Sequence, residues 1–314
     1  MTGTLYTADH RMFQLPPLLS WRVTHTGSVP CDSFSVSFVY QKEMAEVLRL
    51  AAGFAAEEGG TVMLRAVVDE YTVDLDGNGL TATVSGRGCA ARLLDNESRP
   101  VTYQQATLSE ILRNHAEPYG IPCKKAAEVR AESVYTVAAG SSQWKAVEGF
   151  CRTYGGFVPR FSREGELLAG PEKEGRTLSI GEADPVLSCT LREDHYGVLT
   201  EALVIDKTQN KNFSVKNQEM IDKGGQCRRV LYTPGQSTWA AMRYTGEYQI
   251  ARSKEDAWTA EVTLPGSFLA FPGDRAALSL ERMGLAGTFR VAEAENRFDG
   301  RNGAVAALTL KPLE

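Results

Sequence analysis

Two stretches far apart in the chain share one plan. Phe34-Ser-Val-Ser-Phe38 alternates apolar with polar residues, and 42 positions after Phe34 comes the turn Asp76-Gly-Asn-Gly79, followed by the strand pattern Leu80 to Val84. Trp258-Thr-Ala-Glu-Val-Thr-Leu264 alternates in the same way, and 41 positions after Trp258 comes Asp299-Gly-Arg-Asn-Gly303, followed by Ala304 to Leu310. Each pair encloses further strand patterns, Val62 to Leu75 in one copy and Ala276 to Ala292 in the other. Period-two alternation ending in glycine turns marks antiparallel strands with one buried face, and self-similarity at a fixed spacing marks a repeated unit. The expectation is a mainly β fold with two related β-barrel domains in one chain.

The period changes between the copies. Thr107-Leu-Ser-Glu110 is a capping box, and Leu108, Ile111, Leu112 and His115 follow at helical spacing until Pro118 and Gly120. A strand at Tyr135 to Val137 leads to a second helix from Ser142, with Trp144, Val147, Phe150, Cys151 and Tyr154 on one side and Gly155-Gly156 at its end. A hairpin over 157–168 closes this small α/β insertion. The expected division is 1–98 for the first β-barrel (tube-like) domain, 99–170 for the α/β domain, and 171–314 for the second β-barrel domain, with a loop-rich insertion around 208–227. Elsewhere the patterns predict a helix near Met44 to Ala51, separate strands at Val62 to Val68 and Tyr71 to Leu75, and a strand at Tyr244 to Ile250.

Val84-Ser-Gly-Arg-Gly-Cys-Ala-Ala91 sets Gly86, Gly88 and Ala91 in a dinucleotide-type frame. That fingerprint needs a buried parallel strand and a full helix. Here the strand alternates, Asn96 to Pro100 cut the helix short, and Glu110 falls inside the next helix, so a glycine turn leaving a strand is the reading. Asp74-Leu-Asp-Gly-Asn-Gly79 matches the start of a calcium loop, but Ser85 stands where a bidentate glutamate is needed. The four histidines (10, 25, 115, 195) form no HExxH pattern; His115 reads as packed in its helix, and Glu193-Asp-His195 as a solvated turn. Neither a GxSxG nor a Walker pattern is present. The six cysteines (31, 89, 123, 151, 189, 227) lack any CxxC pair and read as reduced and mostly buried. Catalytic, cofactor-binding and metal-binding residues are therefore each expected to be none, and no cofactor is expected.

A net charge of -5 without a basic run argues against nucleic acid or an anionic membrane as the main partner. The N-terminus lacks a signal-peptide pattern and no apolar run has the length of a membrane span, so a cytoplasmic site of synthesis is expected.

Three segments together resemble the phage baseplate hub proteins, the late control D and Mu-type tail protein family. VSGRGCAARLLDNES followed by TLSEILRNHAEPYGI is similar to that family's strand, "GR" turn and helix ending in "GI", with Gly88 where relatives often carry aspartate. AAGSSQWKAVEGFCRTYGGFVPRFSREGELL resembles its helix–hairpin segment, with Trp144, Gly156, Gly165 and Leu167 in matching places. The last part, from Ala251 to Pro312, resembles its C-terminal barrel. Residues 171–230 show little match to the family, which leaves their fold open. The resemblance implies a ring-forming homotrimer whose two barrels per chain adapt a sixfold tail tube to a threefold spike. It implies a spike protein and tail tube or other baseplate proteins as partners. The setting implied is the virion tail baseplate of a phage, prophage or contractile injection system, assembled in the bacterial host cytoplasm, and the role implied is not enzymatic. A tail-associated cell-wall hydrolase and a carbohydrate-binding β protein with its specificity in 208–227 are the competing classes.

Overall fold

The computed structural model describes all residues except 10, 28, 29, 78, 126, 132, 133, 172–174, 234–237, 256 and 314, and the side chains of 125 and 241. Of the described residues 48% are in strands and 20% in helices. It divides into two compact units, Met1–Leu187 with Thr263–Leu308, and Ser188–Val262 with Thr309–Glu314; the strands Trp258–Pro265 and Gly303–Pro312 each run from one unit into the other.

In the first unit alternation becomes burial. Ser33–Val39 turns Phe34, Val36 and Phe38 inward, and Gly79–Gly88 turns Ala82 and Val84 to the same core. Phe34 stacks on Phe54 of the strand Ala51–Glu58 with ring centroids 4.1 Å apart, a pairing that contributes about 0.5–1.5 kcal/mol beyond its burial. Leu5, Met63 and Leu64 complete this core.

The repeat reappears strand by strand. Neighbours in the first copy run Leu18–His25, Ser33–Val39, Gly79–Gly88, Thr61–Asp76, Ala51–Glu58, Thr2–Thr7. Neighbours in the second run Ser188–Glu193, Trp258–Pro265, Gly303–Pro312, Leu285–Asp299, Arg275–Leu280, Thr177–Gly181. The last pairing differs, being antiparallel for Thr2–Thr7 and parallel for Thr177–Gly181.

The expectation of closed barrels is corrected. The described strands form an open path, because Leu285–Asp299 outruns its own partner: Arg275–Leu280 covers it only as far as Arg290, and Ala294 to Asp299 then pair antiparallel with Ser20 to His25. Strands of the two copies thereby share one sheet.

Thr61–Asp76 is a single strand of 16 residues, not two. Asp69 is an extra residue: Val68 faces Gly86 but Glu70 faces Ser85. Such a bulge shifts the phase of alternation, so the apolar row moves from Leu64 and Ala66 to Tyr71, Val73 and Leu75. A Cβ on Gly86 would lie 2.0 Å from the Val67 carbonyl oxygen and 2.8 Å from the Phe34 ring. Glycine there is a requirement of the close approach at the bulge.

The α/β part has its own core. Leu108, Ile111 and Leu112 of the helix Leu108–His115 meet Trp144, Val147 and Phe150 of the helix Gln143–Phe150, with Leu93 and Leu167 beside them. The capping box is formed, Thr107 Oγ1 accepting from the Glu110 N–H at 3.3 Å, and Gly156 ends the second helix in the left-handed conformation at φ 68°. Short pairs, Val101–Tyr103 with Tyr135–Val137 and Arg160–Phe161 with Leu167–Ala169, flank it.

In the second unit Glu201–Asp206 lies between Lys211–Lys216 and Arg228–Tyr232. Two expectations fail here. Residues 208–227 hold the strand Lys211–Lys216 and the helix Gln218–Asp222 instead of a long loop; the strand is polar because neither face is fully buried. Tyr244 to Ile250 is not a strand but part of the helix Trp239–Lys254. Its buried stripe is one residue wide, Met242, Gly246 and Ile250, and a Cβ on Gly246 would lie 2.5 Å from the Val215 side chain. The first unit holds a smaller departure: the predicted helix near Met44 is only Ala45–Leu50 after a turn of 3-10 helix, and the strand Ala51–Glu58 follows at once.

Gly86→Ala is expected to lower the unfolding free energy by about 2–3 kcal/mol, the usual range for forcing an atom into packed backbone. Gly77→Ala, whose Cβ meets nothing within 4 Å, is the matched control; urea unfolding of the two variants checks the difference.

Candidate functional site

The dinucleotide-type frame is part of the sheet. Gly86 packs at the bulge, Gly88 donates its N–H to the Asp32 carbonyl oxygen at 2.7 Å, and Ala91 opens a helix of only four residues, Ala91–Leu94. Glu110 is spent on the helix cap. Arg87, between the glycines, is a clamp: its guanidinium bonds Asp69 at 2.7 and 3.0 Å and Asp95 at 2.9 and 2.7 Å. These bonds raise the pKa of Arg87 and hold the Asp95 carboxyl below the usual range. The bulge residue on one strand is thus tied to the end of a helix.

A cleft of about 260 Å³ lies in the first unit, lined among others by His25, Asp32, Arg160, Arg163, Arg176 and Phe271. His25 is buried, with Nδ1 3.3 Å from Asp32 Oδ2, its ring edge against Phe271, and Nε2 without a hydrogen-bond partner. Asp32 Oδ1 accepts the Thr26 N–H at 2.9 Å. Phe271 carries two guanidiniums, Arg163 at 4.6 Å and Arg176 at 5.8 Å from its centroid. Arg176 also reaches the buried Asp274 at 3.0 Å, and Asp274 accepts the N–H groups of Phe271 and Arg176.

The neighbouring Cys31 thiol donates to the Gly88 carbonyl at 3.2 Å, and burial pushes its pKa up to about 12, so at neutral pH it stays protonated. The arrangement joins three chain segments and pairs Asp32 and Asp274, leaving His25 Nε2 unpaired.

The remaining histidines are placed differently. His115 is buried, its Nδ1 2.7 Å from Gln143 Oε1 and its Nε2 2.9 Å from the Tyr103 hydroxyl, while Gln143 donates onward to the Glu97 carbonyl and the Tyr119 hydroxyl. His195 is exposed beside Glu193 at 3.1 Å, and Glu193 also accepts Lys223 at 2.9 Å. Lys223 and His195 hold the Glu193 carboxyl below its ordinary range. His10 lies outside the described residues.

The residues matching a calcium loop lie along two antiparallel strands. Asp74 faces Thr81 across the hairpin, and Ser85 is back beside Glu70, so the first and twelfth positions cannot surround one ion; Asn78 lies outside the described residues. Among the described residues no cluster of three or more His, Cys, Asp or Glu could hold a metal. All six cysteines are unpaired; Cys151 is buried, and the other five are half-buried where the sequence led us to expect mostly buried thiols.

Sequence patterns raised no flag at two exposed strand edges. Beyond the bulge, Tyr71, Val73 and Leu75 are exposed, Leu75 to 77%, and this part of Thr61–Asp76 has no strand beside its outer edge among the described residues. Ser188–Glu193 is the last strand of its order and nearly every residue of it is exposed, Leu191 included, with Leu187 before it 58% exposed. The missing signal is burial: alternation looks the same whether or not anything covers the apolar face.

No family model and no curated protein sequence matches the chain. Its fold is that of phage tail proteins. It superposes on the tail protein from Neisseria meningitidis MC58 with a TM-score of 0.81 at 15% identity, over 99% of this chain and 96% of that one. It superposes on the prophage MuSo2 43 kDa tail protein from Shewanella oneidensis with a TM-score of 0.82 at 16% identity, over 99% and 97%. A more distant likeness is to the E. coli c3393 protein, a component of the type VI secretion system with structural similarity to T4 bacteriophage tail proteins gp27 and gp5 (TM-score 0.58, 11% identity, 95% of this chain and 74% of that one).

Burial lowers the pKa of His115 below its ordinary 6.5, against a smaller upward pull from Gln143. The unfolded chain therefore binds this proton more readily, and stability falls as pH drops below that value. Melting temperature is expected to decline between about pH 7 and about pH 5, with a shallower slope in His115→Gln, which has no proton to gain. Calorimetry of both proteins across that range checks the comparison.

Proposed function

We propose that this chain is a structural baseplate hub protein of a contractile phage tail or a related injection system, a homotrimer that adapts a sixfold tail tube to a threefold spike. The observation that carries the reading is the doubled strand order. Each chain presents the same six-neighbour arrangement twice, so three chains present six similar units to one side while the assembly keeps threefold symmetry for the other. The fold shared with tail proteins supports it, as does the distant likeness to a type VI secretion component.

Spike and tail tube or other baseplate proteins are the partners in this reading, and the virion tail baseplate is its place. The three-part organisation, 1–98, 99–170 and 171–314, belongs to it. The role is scaffolding: the buried ionisable groups of the cleft are engaged in joining segments, and the Cys31 thiol is held protonated. No helix among the described residues is long and apolar enough to cross a membrane.

Light scattering on the purified chain is expected to return three times the mass of one chain, alone or with its spike partner. A strict monomer at high concentration that also stays monomeric with the spike would overturn the reading.

A further inference from the structure

The two copies are matched neighbour by neighbour, but one pairing occurs only once. In the second copy the end of the long hairpin strand, Ala294 to Asp299, is covered by Leu18–His25 of the first. The corresponding end in the first copy is Tyr71 to Asp76, since Asp76 and Asp299 each precede the turn glycine. Among the described residues no strand covers the outer edge of Tyr71 to Leu75. The strand that corresponds to Leu18–His25 is Ser188–Glu193, first neighbour of Trp258–Pro265 as Leu18–His25 is of Ser33–Val39, and no described strand lies on its outer edge.

We infer that these two edges pair with each other between copies of this chain: Tyr71 to Asp76 of one molecule lies antiparallel against Ser188–Glu193 of the next. The inference rests on the ring reading above and specifies its contact. Burial supports the occupant. Where the pairing is made within the chain, Ala294, Asn296, Val23 and His25 are buried. Where it is not, Tyr71, Val73, Leu75 and Leu191 are exposed. An apolar row on a bare strand edge invites a strand, and the molecule already shows which strand fits that position.

The register follows from the pleat. Asp194 donates its N–H to Ala257 and Leu187 its N–H to Thr263, so the run between them holds one register shift; with that shift before Cys189, the alternation of amides along an antiparallel strand turns those of Cys189 and Leu191 outward. In the chain Asn296 faces Val23 and Phe298 faces Trp21; the register inferred between copies sets Val73 opposite Leu191 and Leu75 opposite Cys189, apolar against apolar. Asp74 and Arg192 then sit diagonally on the other face, acid against base. A slip by one residue would set Val73 and Leu75 against polar partners. Each chain offers one edge of each kind, so the contact is head-to-tail and continues from copy to copy until a ring closes.

The register supplies its own test, because Cys189 is native. Leu75→Cys, a change at an exposed site, is expected under a mild oxidant to convert most of the chain into disulfide-linked species of two and three copies, the paired Cα atoms being about 5–6 Å apart. Cys189→Ser in that background is expected to abolish the link, and Asp74→Cys, on the opposite face, to give none. Val73→Glu is expected to weaken self-association about ten-fold or more, with circular dichroism unchanged. If Leu75→Cys is a trimer by light scattering yet forms no link through Cys189, the edge pairing is wrong while the ring reading stands. If the unmodified chain is a monomer with and without the spike and Leu75→Cys forms no link, both fall.

Discussion

Main-chain hydrogen bonding across one strand pair governs this molecule. On the edge away from Gly303–Pro312, Ala294 to Asp299 could pair within their own copy only if Arg275–Leu280 were longer, and it stops short. Unpaired backbone at a buried edge is costly, and Leu18–His25 supplies the missing partners with matched inward residues, Phe298 meeting Trp21 and Asn296 meeting Val23. The open strand path follows from that length difference. So does the sharing of one sheet by residues near both ends of the sequence.

Much of the β plan was readable because the inner strands obey a simple period. Phe34, Val36 and Phe38 alternate in sequence and in burial alike, and the turns at Gly77 and Gly300 sit where the glycine clusters put them. The α/β helices were legible for the same reason: the cap at Thr107 and Glu110 is local chemistry, and Ile111 and Leu112 face a core of ordinary width. What failed was non-local. The bulge at Asp69 shifts the alternation in mid-strand and looks like a break between two strands. The helix Trp239–Lys254 touches its sheet through Met242, Gly246 and Ile250, and a stripe so narrow leaves Tyr244 and Tyr248 to imitate a strand. Barrel closure depends on relative strand lengths, which alternation does not encode.

The site-level reading shows a similar division. Elimination of a nucleotide cradle at Gly86 and Gly88 needed only the short helix after them, yet the role of Arg87 between two carboxylates depends on Asp69, a residue displaced by the bulge. The cleft around Phe271 gathers residues from positions 25 to 274, and no spacing rule would have grouped them. The exposed row at Tyr71 to Leu75 was visible as a strand, but only its neighbours in the fold distinguish a covered apolar row from a bare one.

The pairing of Leu18–His25 with the strand Leu285–Asp299 also sets an order of events during synthesis. A ribosome releases the first sheet long before its last neighbour exists, so the apolar side of Trp21 and Val23 waits with an open edge while nearly the whole chain is made. The α/β part, with its local helices and separate core, can fold meanwhile. Completion of the sheet is then a late, long-range step that requires synthesis to pass Asp299, and a product truncated before it is left carrying an adhesive edge that this pairing conceals.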